Sequence, residues 1–100
     1  MEIDLGFGNE ELYLGCDIRE ENGERVIKTL PHFVKSIIRA NVRRIVENDK
    51  GNHEEIILFG PIKVPNEIWI YMIVSHAVVH HYRKIWYDNG LGDVILIAQN

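Results

Sequence analysis

The sequence has a single cysteine, Cys16, so no disulfide within the chain can take part in its fold. It also lacks low-complexity stretches and internal repeats. Hydrophobic residues at 46% and charged residues at 26% match an ordinary globular protein, which excludes the collagen-like and disordered classes. No long apolar run is present. The longest, Ile68 to Val74, falls far short of the roughly 20 residues needed to cross a bilayer, so no membrane partner is expected. Nor is there an excess of positive charge: a net charge of −4 argues against duplex DNA as a partner. The opening Met1-Glu2-Ile3-Asp4 lacks the basic start of a signal peptide, and a cytoplasmic setting is the expectation. One hundred residues allow one domain, 1–100, with a thin core, so self-association is expected as well.

What is present divides into periodic segments. Ile3, Leu5 and Phe7 alternate with polar or small residues, as do Leu12, Leu14, Cys16 and Ile18, which predicts a β-hairpin turning at Gly8-Asn9. Arg19 to Arg25, with Asn22-Gly23, reads as a loop. Thr29 and Pro31 suit a helix start, and Leu30, Phe33, Val34, Ile37, Ile38, Ile45 and Val46 form one apolar stripe. Lys35, Arg39 and Arg43 run along the opposite side. Ile56 to Phe59, closed by Gly60-Pro61, predicts a central strand buried on both faces. A second helix, Asn66 to Tyr82, is apolar almost all round, and part of it is expected against a second chain. Strands at Lys84–Tyr87 and Asp93–Ala98 flank a glycine-rich turn. The order is ββαβαββ: an α/β fold with a mixed sheet, covered by helices. Ligands of such sheets gather beyond the carboxyl ends of the parallel strands, here near Gly60-Pro61 and Asp88-Asn89-Gly90.

His76, His80 and His81 crowd into one segment. The one-turn spacing of His76 and His80 is that of paired zinc ligands, although two histidines at a helix end are also stabilised by the helix dipole alone. His80, His81 and Asp88 together suit acid–base work on a phosphodiester, with the imidazole moving a proton and the carboxylate orienting it or holding a cation. Asp88 is equally at home as a turn residue. Lys35, Arg39 and Arg43 form either a solvated helix face or a local docking place for an anion. Cys16 sits in a strand pattern and reads as core rather than nucleophile.

Phe59-Gly60-Pro61, Ile68-Trp69-Ile70, His76, His80-His81, Tyr87-Asp88 and Leu91-Gly92 follow one another in an order that resembles a small CRISPR-associated ring nuclease family of type III systems. That family degrades the second messenger cyclic tetra-adenylate and is distantly related to CRISPR-associated Rossmann-fold (CARF) sensor domains. The resemblance covers residues 55–98. It implies a Rossmann-like fold and a homodimer, or a tetramer of two dimers, clamping cyclic tetra-adenylate. It further implies a ligand-binding corner at Gly60 and Pro61, catalytic roles for His80 or His81 and for Asp88, and manganese as cofactor, held by Asp88 and His80. The sequence departs from the family where Asn89-Gly90 replaces Pro-Arg and where Lys63 to Glu67 is inserted. The cationic duty then passes to residues such as Lys63 or Arg39, or the chain binds the ring without cutting it. An unrelated structural α/β dimer is the third possibility.

Overall fold

The computed structural model describes residues 1–60 and 68–100. Eight elements follow in order: β1 (Glu2–Asp4), β2 (Ile18–Glu21), β3 (Glu24–Ile27), α1 (Pro31–Asp49), β4 (Glu55–Phe59), α2 (Ile68–Val78), β5 (Lys84–Asp88) and β6 (Val94–Gln99). A mixed four-stranded sheet has the order β1-β4-β5-β6, and β2 and β3 form a separate hairpin. β4 is parallel to both β1 and β5, whereas β6 returns antiparallel.

The expected hairpin of the first third is corrected. β1 pairs with β4, and Leu12 to Cys16 lies in turns, not in a strand. Asn9 organises those turns. Its side-chain oxygen accepts from the Leu12 amide at 3.2 Å, and its amide group donates to the Asp4 carbonyl at 2.7 Å. Leu12 and Tyr13 thereby enter the core side by side while Leu14 points outward, which strand alternation forbids. The true hairpin lies in the segment expected to be a loop. Asn22 and Gly23 adopt φ of 53° and 79°, the two positive values that a type I′ turn requires, so the two-residue turn joins β2 to β3.

α1 starts at Pro31 with Leu30 as its cap. Thr29, the expected cap, instead accepts a hydrogen bond at 2.7 Å from the Asp17 amide. Leu30 and Phe33 are exposed, so the helix stripe facing the core begins at Val34. The helix ends where Lys50 takes a left-handed conformation, φ 53°. α2 stops at Val78, before the expected end at Tyr82 and short of His80, while Asn66 and Glu67 of the expected helix lie outside the described residues.

Ile3, Ile56, Leu58 and Ile85 lie buried beneath Val34, Ile38, Val42 and Ile45 of α1 and Ile70, Val74 and Val78 of α2. The two helices pack against one another in a single layer. The sheet's other face carries Ile57, Phe59, Trp86, Val94 and Leu96, related by the strand register, and no described helix covers it. The expectation that β4 is buried on both faces is therefore corrected: Ile56 and Leu58 are buried, but Ile57 and Phe59 only half so. Strand order supplies the reason. β1, β4 and β5 succeed one another in one direction along the sheet, and crossovers of one hand then return over the same face.

Asn41 is the buried polar residue of α1. Its amide group donates to the carbonyls of Leu12 at 2.7 Å and Leu14 at 2.9 Å, so it ties the first loop to the helix layer. Asn41→Ala leaves both carbonyls without this donor and opens a small void. A loss of about 2–3 kcal/mol in urea unfolding is expected, with the denaturant slope unchanged. Asn41→Asp, an acceptor facing acceptors, should cost at least as much.

Candidate functional site

The carboxyl ends of β1, β4 and β5 lie side by side, with Asp4, Phe59 and Asp88 in register across the three strands. Gly60 follows β4 with φ 115°, a conformation that side chains rarely adopt. A Cβ there would stand 2.6 Å from Asp4 Oδ1 and 3.1 Å from the Leu5 and Gly6 amide nitrogens, so glycine lets the β1 and β4 ends close on one another. Asp4 is already engaged, accepting from the Gly6 amide at 2.8 Å. Leu5 donates to the Phe59 carbonyl at 2.7 Å.

The β5–β6 loop fills the other side of this rim. Asp88 Oδ1 accepts from the Gly90 amide at 2.9 Å, and Asn89 Oδ1 accepts from the Leu91 amide at 2.7 Å. Both side chains act here as turn-formers, and Gly90 takes φ 76°. Asp88 remains half-buried at the strand end. Pro61 and Lys63 lie outside the described residues.

The expected histidines are elsewhere. His80 and His81 are exposed in the turn that follows α2, where the His81 amide donates to the Val78 carbonyl at 3.0 Å. That turn leads into the start of β5, whereas Asp88 ends the same strand. Five residues of strand separate the two ends, about 13 Å at the usual rise. One chain therefore does not bring His80 or His81 to Asp88, and the expectation of a single rim is corrected. A strand with its preceding helix antiparallel to it necessarily carries helix end and strand end at opposite poles.

Nor do His80 and Asp88 of one chain fit the expected manganese site. His80 and Asp88 are too far apart to share an ion, and α2 ends before His80 can share a helical face with His76. Among the described residues no group of three His, Cys, Asp or Glu side chains converges. Arg39 stands between Lys35 and Arg43 on the exposed side of α1, beside a shallow hollow and turned away from the sheet. These cations do not reach the rim. Cys16 is half-buried, and burial pushes its thiol pKa up, which suits packing rather than nucleophilic attack.

The pole that holds His80 and His81 contains an arrangement missed in the sequence. Asp49, at the end of α1, meets His53 Nδ1 at 2.6 Å through Oδ1 and accepts from the Tyr82 hydroxyl at 3.1 Å through Oδ2. The Asp49 side chain is only 6% exposed, and His53 is half open to solvent. A carboxylate that fixes an imidazole in this way sets its orientation for proton transfer. His53 lines a hollow of about 420 Å³ together with Met1, Glu2, Glu54, Glu55 and Trp86. The spacing of Asp49 and His53 by four was the available signal. The intervening Lys50-Gly51-Asn52 turn concealed that they meet outside the helix.

The chain matches no family model, no curated protein and no solved structure with which it was compared. No helix among the described residues is long and apolar enough to cross a membrane.

The hydrogen bond from His53 holds the Asp49 carboxyl below its usual pKa; burial opposes this shift and Tyr82 adds to it. Tyr82 is pushed up to about 12, by burial first and by its bond to Asp49 second. A depressed carboxyl stabilises the fold above the unfolded-state pKa, near 3.9, and that contribution is lost as pH falls through the folded-state value. A raised phenol stabilises below about pH 10, and its contribution is lost as pH rises toward 12. Urea midpoints measured against pH should therefore fall at both extremes, with the acid limb flattened in Asp49→Asn and the alkaline limb in Tyr82→Phe. Gly60→Ala should unfold about 2–4 kcal/mol more easily, since strain and the Asp4 overlap add.

Proposed function

We propose that this chain binds cyclic tetra-adenylate at the rim formed by Gly60, Asp88, Asn89 and Gly90, and that in an assembled form it opens the ring, ending type III CRISPR signalling. The fold on this reading is a one-sided relative of the Rossmann-like CARF domains. The observation that carries it is the alignment of the Asp4, Phe59-Gly60 and Asp88 strand ends, the place where open α/β sheets hold ligands. The ordered resemblance over residues 55–98 supplies the ligand. A homodimer, or two dimers clamping one ring, is the expected assembly.

Ring opening needs the ribose 2′-hydroxyl placed in line with the phosphorus and the departing 5′ oxygen. The 2′ oxygen bonds to phosphorus, the bond from phosphorus to the 5′ oxygen breaks, and a 2′,3′-cyclic phosphate remains. One group takes the 2′ proton and another gives a proton to the 5′ oxygen. His80 or His81 serves in proton transfer, and Asp88 orients the sugar or the histidine. The chemistry balances without a metal, and addition of manganese is a variable of the assay, not a premise.

The separation of His80 and His81 from Asp88 favours a second reading, in which the chain holds the ring without cutting it. Labelled cyclic tetra-adenylate incubated with the protein, with and without manganese, distinguishes the two. Cleavage to linear di-adenylates is expected, reduced about 100-fold or more by Asp88→Ala and by the His80→Ala/His81→Ala double variant. Tight binding without products would establish the second reading, and absence of binding would remove both. Cleavage unaltered in the variants would remove these residues from the site.

A further inference from the structure

α1 carries Lys35, Arg39, Arg43 and Arg44 and no acidic residue before Glu47, in a chain whose net charge is −4. The stability of the helix does not account for this placement. A helix dipole favours acids in the first turn and cations in the last, and α1 has neither. Like charges one turn apart oppose a helix, yet Lys35, Arg39 and Arg43 follow one another at steps of four. Among the described residues none of these cations forms an ion pair, whereas Arg19, Lys28 and Arg83 each face an acidic partner.

Helix geometry turns the row into a surface. Steps of four advance about 6 Å along the axis and rotate little, so Lys35 and Arg43 stand about 12 Å apart along the helix with Arg39 between them. A second row, His32, Ser36 and Ala40, runs beside the first at the same step. Ser36 and Ala40 line, with the three cations, a shallow hollow of about 440 Å³. At its head the His32 and Phe33 rings lie 4.0 Å apart, and both residues are exposed, Phe33 at 53%. Val34, Ile38 and Ile45 occupy the core side of the helix, so this face looks outward.

Unpaired cations call for a polyanion, and the rings select its kind. A lipid surface takes up apolar side chains along the length of a helix, but the middle of this face is Ser36 and Ala40. An acidic peptide leaves the two rings unused. A phosphate backbone with accessible bases uses both parts, the charges along the cations and a base face against an aromatic ring. A duplex keeps its base faces inside its own stack.

We propose that the outer face of α1 binds single-stranded nucleic acid with little sequence preference, its phosphates along Lys35, Arg39 and Arg43 and one base against Phe33 and His32. RNA and DNA strands are held alike, because the phosphates and base faces used here are common to both. The face is turned away from the sheet and from the rim of strand ends, and the inference does not rest on the function proposed above.

Fluorescence anisotropy of the whole chain with labelled oligouridylate and oligothymidylate of about 12 nucleotides tests this. Neither strand contains adenine, so the readout is separate from adenylate binding at the rim. Both should bind with Kd of about 10–100 µM in about 50 mM salt. The logarithm of the binding constant should fall with that of salt at a slope of about −2, as expected for three phosphates of a single strand. Arg39→Glu should weaken binding about tenfold with unchanged circular dichroism. Arg83→Glu makes the same change in net charge away from this face and should stay within about twofold of wild type. Arg39→Ala should flatten the salt slope by about 0.7, whereas Phe33→Ala should cost about fivefold in affinity and keep the slope. Failure of the wild type to bind, equal losses in Arg39→Glu and Arg83→Glu, or wild-type affinity in Phe33→Ala would overturn the proposal. So would a duplex of equal length bound as tightly as the single strands, or uptake by phosphatidylserine vesicles without oligonucleotide binding.

Discussion

β4 has parallel neighbours on both sides, and that constraint governs the rest of the molecule. A parallel pair cannot be closed by a tight turn; the chain must leave the sheet and come back over one of its faces. Here it does so twice, through α1 between β1 and β4 and through α2 between β4 and β5. Because the two steps move in the same direction along the sheet, both helices settle on one face. A doubly wound sheet reverses direction once and thereby gains a crevice and a second helix layer. The described residues show neither, and the candidate rim is a line of strand ends beside a close-packed glycine corner.

The one-sided layer explains where the core is dense and where apolar surface remains. Ile56, Leu58 and Ile85 disappear under the helices, whereas Trp86 stays half-exposed, with its indole N–H donating to Glu55 at 2.9 Å and Lys84 near its ring. A chain of this length has too little mass for helices on both sides, so part of its hydrophobic inventory stays on the open face and at the β6 edge. The apolar character of α2 then needs no second chain to account for most of it. Ile70, Val74 and Val78 face the sheet, Trp69, Tyr71 and Ile73 pack around them, and Met72 is left exposed.

Much of this was legible in the residues. The second half, from Ile56 to Ala98, shows strand, helix and strand pair in the expected order, because continuous apolar runs bounded by glycine and proline leave few alternatives. The first third was not legible. Alternation at Leu12, Leu14, Cys16 and Ile18 imitates a strand, but the Asn9 side chain captures the backbone first and folds it into turns. Asn22-Gly23 was the stronger local signal, and its two left-handed residues decide the hairpin's position. The rim at Gly60 and Asp88 was legible from the position of strand ends alone. The pairing of Asp88 with His80 and His81 was not, because adjacency along a sequence conceals polarity: the turn entering β5 and the turn leaving it stand at opposite poles of the sheet.

That polarity also revises the meaning of the net charge. Spread evenly, −4 would repel an anionic ligand from every approach. The sheet itself carries acid at both poles, Asp4, Asp88 and Asp93 at the carboxyl ends of the parallel strands and Glu54 and Glu55 beside Arg83 and Lys84 at the other, whereas Lys35, Arg39 and Arg43 gather on the outer side of α1. The rim of strand ends therefore stands where open α/β sheets hold ligands and yet is lined by carboxylates, so that an anion of the kind proposed above, held there, needs cations brought from beyond the rim.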